Sequence, residues 1–117
     1  MRIIAFQYTA HCVLNKTKTV TRRRWVDSYG ERFRSGEICV AYDKSPRIGG
    51  KPIAFIQLTK KPFKQRLYKI DRKELKREGG LWTDANLYIK LTFPDLCRYD
   101  KVWVVNFKLI KKIRRHK

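Results

Sequence analysis

The apolar residues of this chain come in runs too short for long helices and of the right length for strands. Ile38-Cys39-Val40-Ala41 and Val102-Trp103-Val104-Val105 are among the longest, and both mix β-branched with other apolar side chains as strands do. Residues 53–59 set Ile53, Phe55, Gln57 and Thr59 against Ala54, Ile56 and Leu58, a period-two pattern that predicts a strand with one wet face. At 117 residues the chain has room for one compact domain. Hydrophobic residues make up 43% of it, with three Trp, six Tyr and six Phe, enough apolar surface to offset the entropy of folding.

Turn chemistry divides the chain further. Residues 2–8 and 102–110 read as the first and last strands, and residues 38–42 as a strand entered through a turn at Ser35-Gly36. Residues 10–14 can form a helical turn that Asn15 ends. Asp71 followed three residues later by Glu74 has capping-box form, so a short helix runs to about Arg77 and stops at Glu78-Gly79-Gly80. A second helix covers about 84–91, with Pro94 at its exit. The expected class is mainly β with short α-helices (α+β), curved or closed into a barrel. The domain is expected over 1–110 and a basic C-terminal tail over 111–117.

Charge narrows the function. Lys plus Arg number 29 against 10 Asp plus Glu, a formal charge of +19. A surface of that sign calls for a polyanion. A membrane surface would need a basic amphipathic helix or a lipid anchor, and neither is apparent, nor is any apolar run long enough to span a bilayer. Residues 1–7 lack the apolar length of a signal peptide, so cytoplasm is the expected compartment and the three cysteines, at 12, 39 and 97, are expected as buried, reduced thiols. His11 and Cys12 are adjacent but no second ligand pair accompanies them, so no metal site is expected. No glycine-rich phosphate loop appears either, and no cofactor is expected.

The densest local signal is residues 16–25, where five cations and three threonines share ten positions. Three consecutive arginines beside a tryptophan repel one another unless an anion is near. Lys18 and Thr21 have opposite parity, so both can line one cleft only if the backbone is irregular near Thr19-Val20. Beyond Thr21, a strand puts Thr21, Arg23 and Trp25 on one side and Arg22 and Arg24 on the other, facing solvent or phosphate. Further basic and aromatic groups suited to nucleic acid are Lys44, Arg47 and Lys51 in a turn-rich hairpin connection, and Lys60, Lys61, Lys64 and Arg66 with Tyr68. Phe55, Trp103 and Phe107 read as core.

The run Lys18-Thr19-Val20-Thr21-Arg22-Arg23 resembles the Lys-Thr-x-Thr-x-Arg signature of ASCH domains. Phe33-Arg34-Ser35-Gly36-Glu37-Ile38, the loop Asp43-Lys44-Ser45-Pro46-Arg47 with Gly49-Gly50, the Glu78-Gly79 pair followed by Trp82, and Val102-Trp103-Val104-Val105-Asn106-Phe107 resemble later ASCH elements in the same order. Lys16 departs from the pattern, standing where many relatives have glycine. The resemblance implies a PUA-like β-barrel and a cleft lined by Lys18, Thr21 and Glu78. It also implies a role in RNA binding or modification.

Two functions follow. The first is a binding module for RNA, with DNA as the less favoured partner, using Arg22, Arg23, Arg24 and Trp25 together with the other basic groups for phosphates and unpaired bases. The second is a hydrolase using Lys18, Thr21 and Glu78, either a ribonuclease or, by the resemblance, an amidohydrolase acting on acylated cytidine. Charge favours binding, because a neutral nucleoside gains little from a +19 surface and an RNA chain gains much.

Overall fold

The strand-sized runs pair into one mixed sheet. The computed structural model describes residues 1–113, so the basic end at 114–117, with His116, lies outside the described residues. In chain order the elements are β1 (Ile3–Ala5), α1 (Ala10–Leu14), β2 (Val20–Arg23), α2 (Asp27–Gly30), β3 (Ile38–Tyr42), β4 (Pro52–Leu58), β5 (Phe63–Arg66), α3 (Arg72–Arg77), α4 (Ala85–Thr92) and β6 (Lys101–Lys112). The sheet runs β1-β3-β4-β6-β2, with β5 also paired to β6. Among the described strands only β1 and β3 pair in parallel. Register shifts at Ala41/Tyr42 and Phe55/Ile56 increase local twist, and the sheet curls into a half-barrel.

β6 organises the molecule. Its first half is held on both edges, with Arg23 of β2 and Lys64 of β5 each opposite Trp103. Its second half pairs with β4, Phe107 lying opposite Leu58. One apolar cluster fills the curl of the sheet, including Ile4, Phe6, Val13, Phe33, Ile56, Leu58 and Phe107. A second gathers Leu67, Ile70, Leu75, Tyr88, Ile89, Phe93 and Val102 around α3 and α4. Each such buried side chain contributes about 1.5–3 kcal/mol.

Local signals placed several ends correctly. α1 ends at Asn15, and Lys16 then adopts φ +68°, a left-handed position that favours glycine. That conformation suits the glycine which the resemblance leads one to expect at this position. At α3 the Asp71 carboxylate accepts from the Glu74 amide at 2.9 Å, and Gly79 at φ +123° ends the turn.

Other ends moved. The first strand stops at Ala5, and Tyr8 is 78% exposed. The last strand, expected over 102–110, extends to Lys112 because β4 supplies partners, Phe55 opposite Lys111 and Ala54 opposite Lys112. Lys111 and Lys112 therefore belong to the sheet and not to a tail beginning at 111. Neither α2 nor β5 is announced by its local sequence. Phe63-Lys64-Gln65-Arg66 carries no apolar alternation and is a strand because the edge of β6 pairs with it.

Candidate functional site

The approach to the site is set by a break in the backbone. Regular pairing of β2 with β6 begins at Val20, whereas the Thr19 amide donates to the Arg77 carbonyl at 2.8 Å and the Phe107 amide donates to the Thr19 carbonyl at 2.9 Å. Lys18 makes a separate bridge with Glu78, and its amide donates to the Cys12 carbonyl of α1. The irregularity expected near Thr19-Val20 is thus present at Thr19, and Lys18 and Thr21 line the same cleft.

Glu78, at the end of α3, is the anion at its centre. Lys18 Nζ donates to Glu78 Oε1 at 2.7 Å and to its carbonyl at 3.0 Å. Arg22 Nη1 donates to Glu78 Oε2 at 2.6 Å. All three side chains are almost wholly buried, at 3%, 1% and 2% exposure for Lys18, Arg22 and Glu78. Arg22 also lies 3.3 Å from Glu74. Arg77 braces the group through Glu74 Oε2 at 3.0 Å and Thr19 Oγ1 at 3.2 Å, and through the Asn106 side chain.

Burial dominates the titration of the cleft. It lowers Lys18 from the ordinary lysine value, Glu78 opposing and Arg23 adding to the shift. It also lowers Arg23, again against Glu78, though a guanidinium stays charged in proteins. Tyr88 is pushed well above the phenol range by burial and by the Glu78 carboxylate beside it. Three cations, Lys18, Arg22 and Arg23, thus share one cleft with Glu78, and Glu74 touches the group from outside. The cleft has a volume of about 500 Å³ and includes Tyr8, Trp82 and Tyr88 in its walls, a size that accepts a small molecule or one nucleotide. Trp82 meets Tyr88 edge-on at 4.8 Å.

Thr21 Oγ1 accepts from Arg23 Nε at 3.2 Å, so this hydroxyl is held by a cation, and its proton is left to donate. Arg23 Nη2 also donates to the Ala5 carbonyl at 2.6 Å, with the guanidinium over the Phe6 ring at 5.2 Å. Among the described residues no three His, Cys, Asp or Glu side chains gather to hold a metal ion. None of the described helices is long and apolar enough to cross a membrane.

Other expected contacts fall elsewhere. Strand parity points Arg22 at solvent or phosphate, but α3 covers that side of β2 and buries its guanidinium on Glu78 and Glu74. Trp25 stacks on Phe33 at 4.5 Å and meets Tyr29 edge-on, so it packs against the core and is not a free platform for bases. Arg24 Nη1 donates to both carboxylate oxygens of Asp95, at 2.7 and 2.6 Å. Lys44, Arg47 and Lys51 are exposed on the β3–β4 connection. Lys60 lies over the Phe63 ring, Lys61 donates to the carbonyls of Glu31 and Phe33, Lys64 pairs with Asp27 and Arg66 donates to the Tyr99 carbonyl. Tyr68 is 42% exposed and meets Tyr99 edge-on. Sequence reasoning missed Tyr8, Arg77 and Tyr88. Tyr88 sits on the apolar side of α4, where it reads as core, and only the Glu78-Gly79…Trp82 spacing pointed towards this wall.

The fold has counterparts among solved structures. An ASCH domain from Lactobacillus crispatus matches with a TM-score of 0.68 over 94% of this chain and 80% of that one, at 13% identity. The fold is ASCH-like. A protein of Enterococcus faecalis from the family DUF984 matches with a TM-score of 0.62 at 17% identity, over 87% of this chain. This chain spans 66% of that protein's length. No family model and no curated protein matches the sequence. On this ASCH-like scaffold Lys18, Thr21 and Arg23, at and before β2, and Glu78, at the end of α3, all line one cleft.

Proposed function

We propose that this chain binds single-stranded RNA and takes one unpaired nucleotide into the Glu78 cleft. The observation that carries the reading is three cations facing a single carboxylate in an aromatic-walled cleft. Such a site has positive charge to offer a phosphate and ring faces to offer a base, and stacking on an aromatic side chain contributes about 1–3 kcal/mol per base. Tyr8 and Trp82 are the stacking candidates. Arg23 is the candidate for phosphate, and the Thr21 hydroxyl, with its proton free, suits a 2′-hydroxyl, which favours RNA over DNA. Lys44, Arg47 and Lys51 add backbone contacts without sequence readout.

A second reading, hydrolysis, is favoured by one observation. Lys18 is a buried amine with lowered basicity in contact with a buried carboxylate, a combination common at catalytic centres. The substrate would be an acylated cytidine or an RNA phosphodiester. Thr21 fits poorly as the nucleophile, since its hydroxyl is held by a cation and not by a base. A mobility-shift assay with single-stranded RNA, double-stranded RNA and single-stranded DNA, reading strand integrity as well, separates the readings. Retarded, intact RNA is the expected result. Cleavage, or release of acyl groups from acylated cytidine, that disappears in Lys18→Met would establish hydrolysis instead.

A further inference from the structure

A second basic pocket lies on the far side of Arg23. Arg23, Arg24, Lys64, Asp100, Lys101 and Trp103 contribute to its wall, and its volume is about 250 Å³. Its geometry follows from the sheet register, in which Arg23 of β2 and Lys64 of β5 are both opposite Trp103 of β6. Residues directly opposite in antiparallel pairs stand on the same face, and neighbouring strands are about 4.8 Å apart. A cation, an indole and a second cation therefore stand in one row across three strands.

Trp103 is 6% exposed, and its indole Nε1 is buried without a hydrogen-bond partner among the described residues. A buried donor left unmatched is uncommon, and a bound ion or solvent molecule is one of its physical explanations. The acidic groups nearby are already engaged. Asp100 Oδ2 accepts from the Cys97 amide at 2.8 Å, Asp95 is held by Arg24 and Asp27 by Lys64. Those last two pairs are exposed, and exposed ion pairs are weak, so an anion entering the pocket can recruit both cations.

We propose that this pocket holds a phosphate group, that of the RNA strand next to the nucleotide in the Glu78 cleft, between Arg24 and Lys64 and beside Trp103. The source of the phosphate rests on the RNA reading above, whereas the anion chemistry does not. Arg23 lines both cavities, so a strand leaving the cleft over this side chain meets the pocket within one nucleotide.

The test uses the indole N–H signals of Trp25, Trp82 and Trp103 in proton–nitrogen NMR spectra, assigned with Trp103→Phe. The protein is titrated with a mononucleoside, a trinucleotide of RNA and inorganic phosphate. The trinucleotide should move the Trp82 and Trp103 signals together, the mononucleoside only that of Trp82, and phosphate only that of Trp103. Lys64→Gln should weaken the Trp103 response to the trinucleotide at least fivefold and leave the Trp82 response to the mononucleoside unchanged. A trinucleotide that moves Trp82 but not Trp103 would overturn the pocket and leave the cleft reading standing. Movement of Trp103 without Trp82 would support the pocket and count against the cleft. A response of Trp103 to phosphate but to no RNA would refute the strand as its source.

Discussion

Neutralising Glu78 would leave Lys18 and Arg22 in the interior without their shared counter-charge. Glu78→Gln is therefore expected to lower stability by about 3–5 kcal/mol, read by urea denaturation, and a loss below about 1 kcal/mol would mean that water already screens the trio. Lys16 offers the opposite change. A side chain at φ +68° is strained by roughly 1 kcal/mol relative to glycine, so Lys16→Gly should raise the melting temperature without touching the cleft. Lys18 supplies a pH signature. Burial keeps the folded amine less basic than the unfolded one, so between the folded value and the ordinary lysine value of 10.5 the unfolded chain binds more protons. Stability from this group is then present above that ordinary value and is lost as the pH falls through the folded one. Lys18→Met should remove that slope, and identical slopes in both proteins would contradict the burial account. At this scale the motif made Lys18, Thr21 and Glu78 legible. The burial of Arg22 was not, because strand parity says which side a residue faces and not what covers it.

Among elements, the charge at β2 is turned onto carboxylates whereas that of the hairpin connection stays exposed. Arg22 and Arg24 are tied to Glu78 and Asp95, whereas Arg47 and Lys51 on the β3–β4 connection are exposed. Replacing Arg47 and Lys51 together with Gln should flatten the salt dependence of RNA binding by about 0.7 in log–log slope for each phosphate no longer neutralised. An unchanged slope would remove the loop from the interface. Elements defined by local chemistry were readable in the sequence: β3, the end of α1 at Asn15, and the Asp71 cap of α3. Those defined by a partner were not. β5 is a strand only because β6 presents a free edge, and β6 reaches Lys112 only because β4 runs alongside it. The one-turn α2 packs Gly30 so closely on Trp103 that an added Cβ would come within 2.3 Å of the indole, a proximity no local pattern announces.

Across the whole molecule, a charge of +19 gives general attraction to any polyanion, and on the proposed reading the cleft adds discrimination. Affinity from charge alone falls steeply with salt and is indifferent to strandedness, whereas a nucleotide held between Trp82 and the cations requires an unpaired base. The most direct test of this account measures binding of matched single-stranded and double-stranded RNA by fluorescence anisotropy over a salt series, with wild-type protein and Trp82→Ala. The account predicts that single-stranded RNA binds more tightly, that the preference persists as salt rises, and that Trp82→Ala weakens it by about 1–3 kcal/mol with the RNA intact. Equal affinity for both forms, unaffected by Trp82→Ala, would contradict it and leave a protein that binds by charge alone.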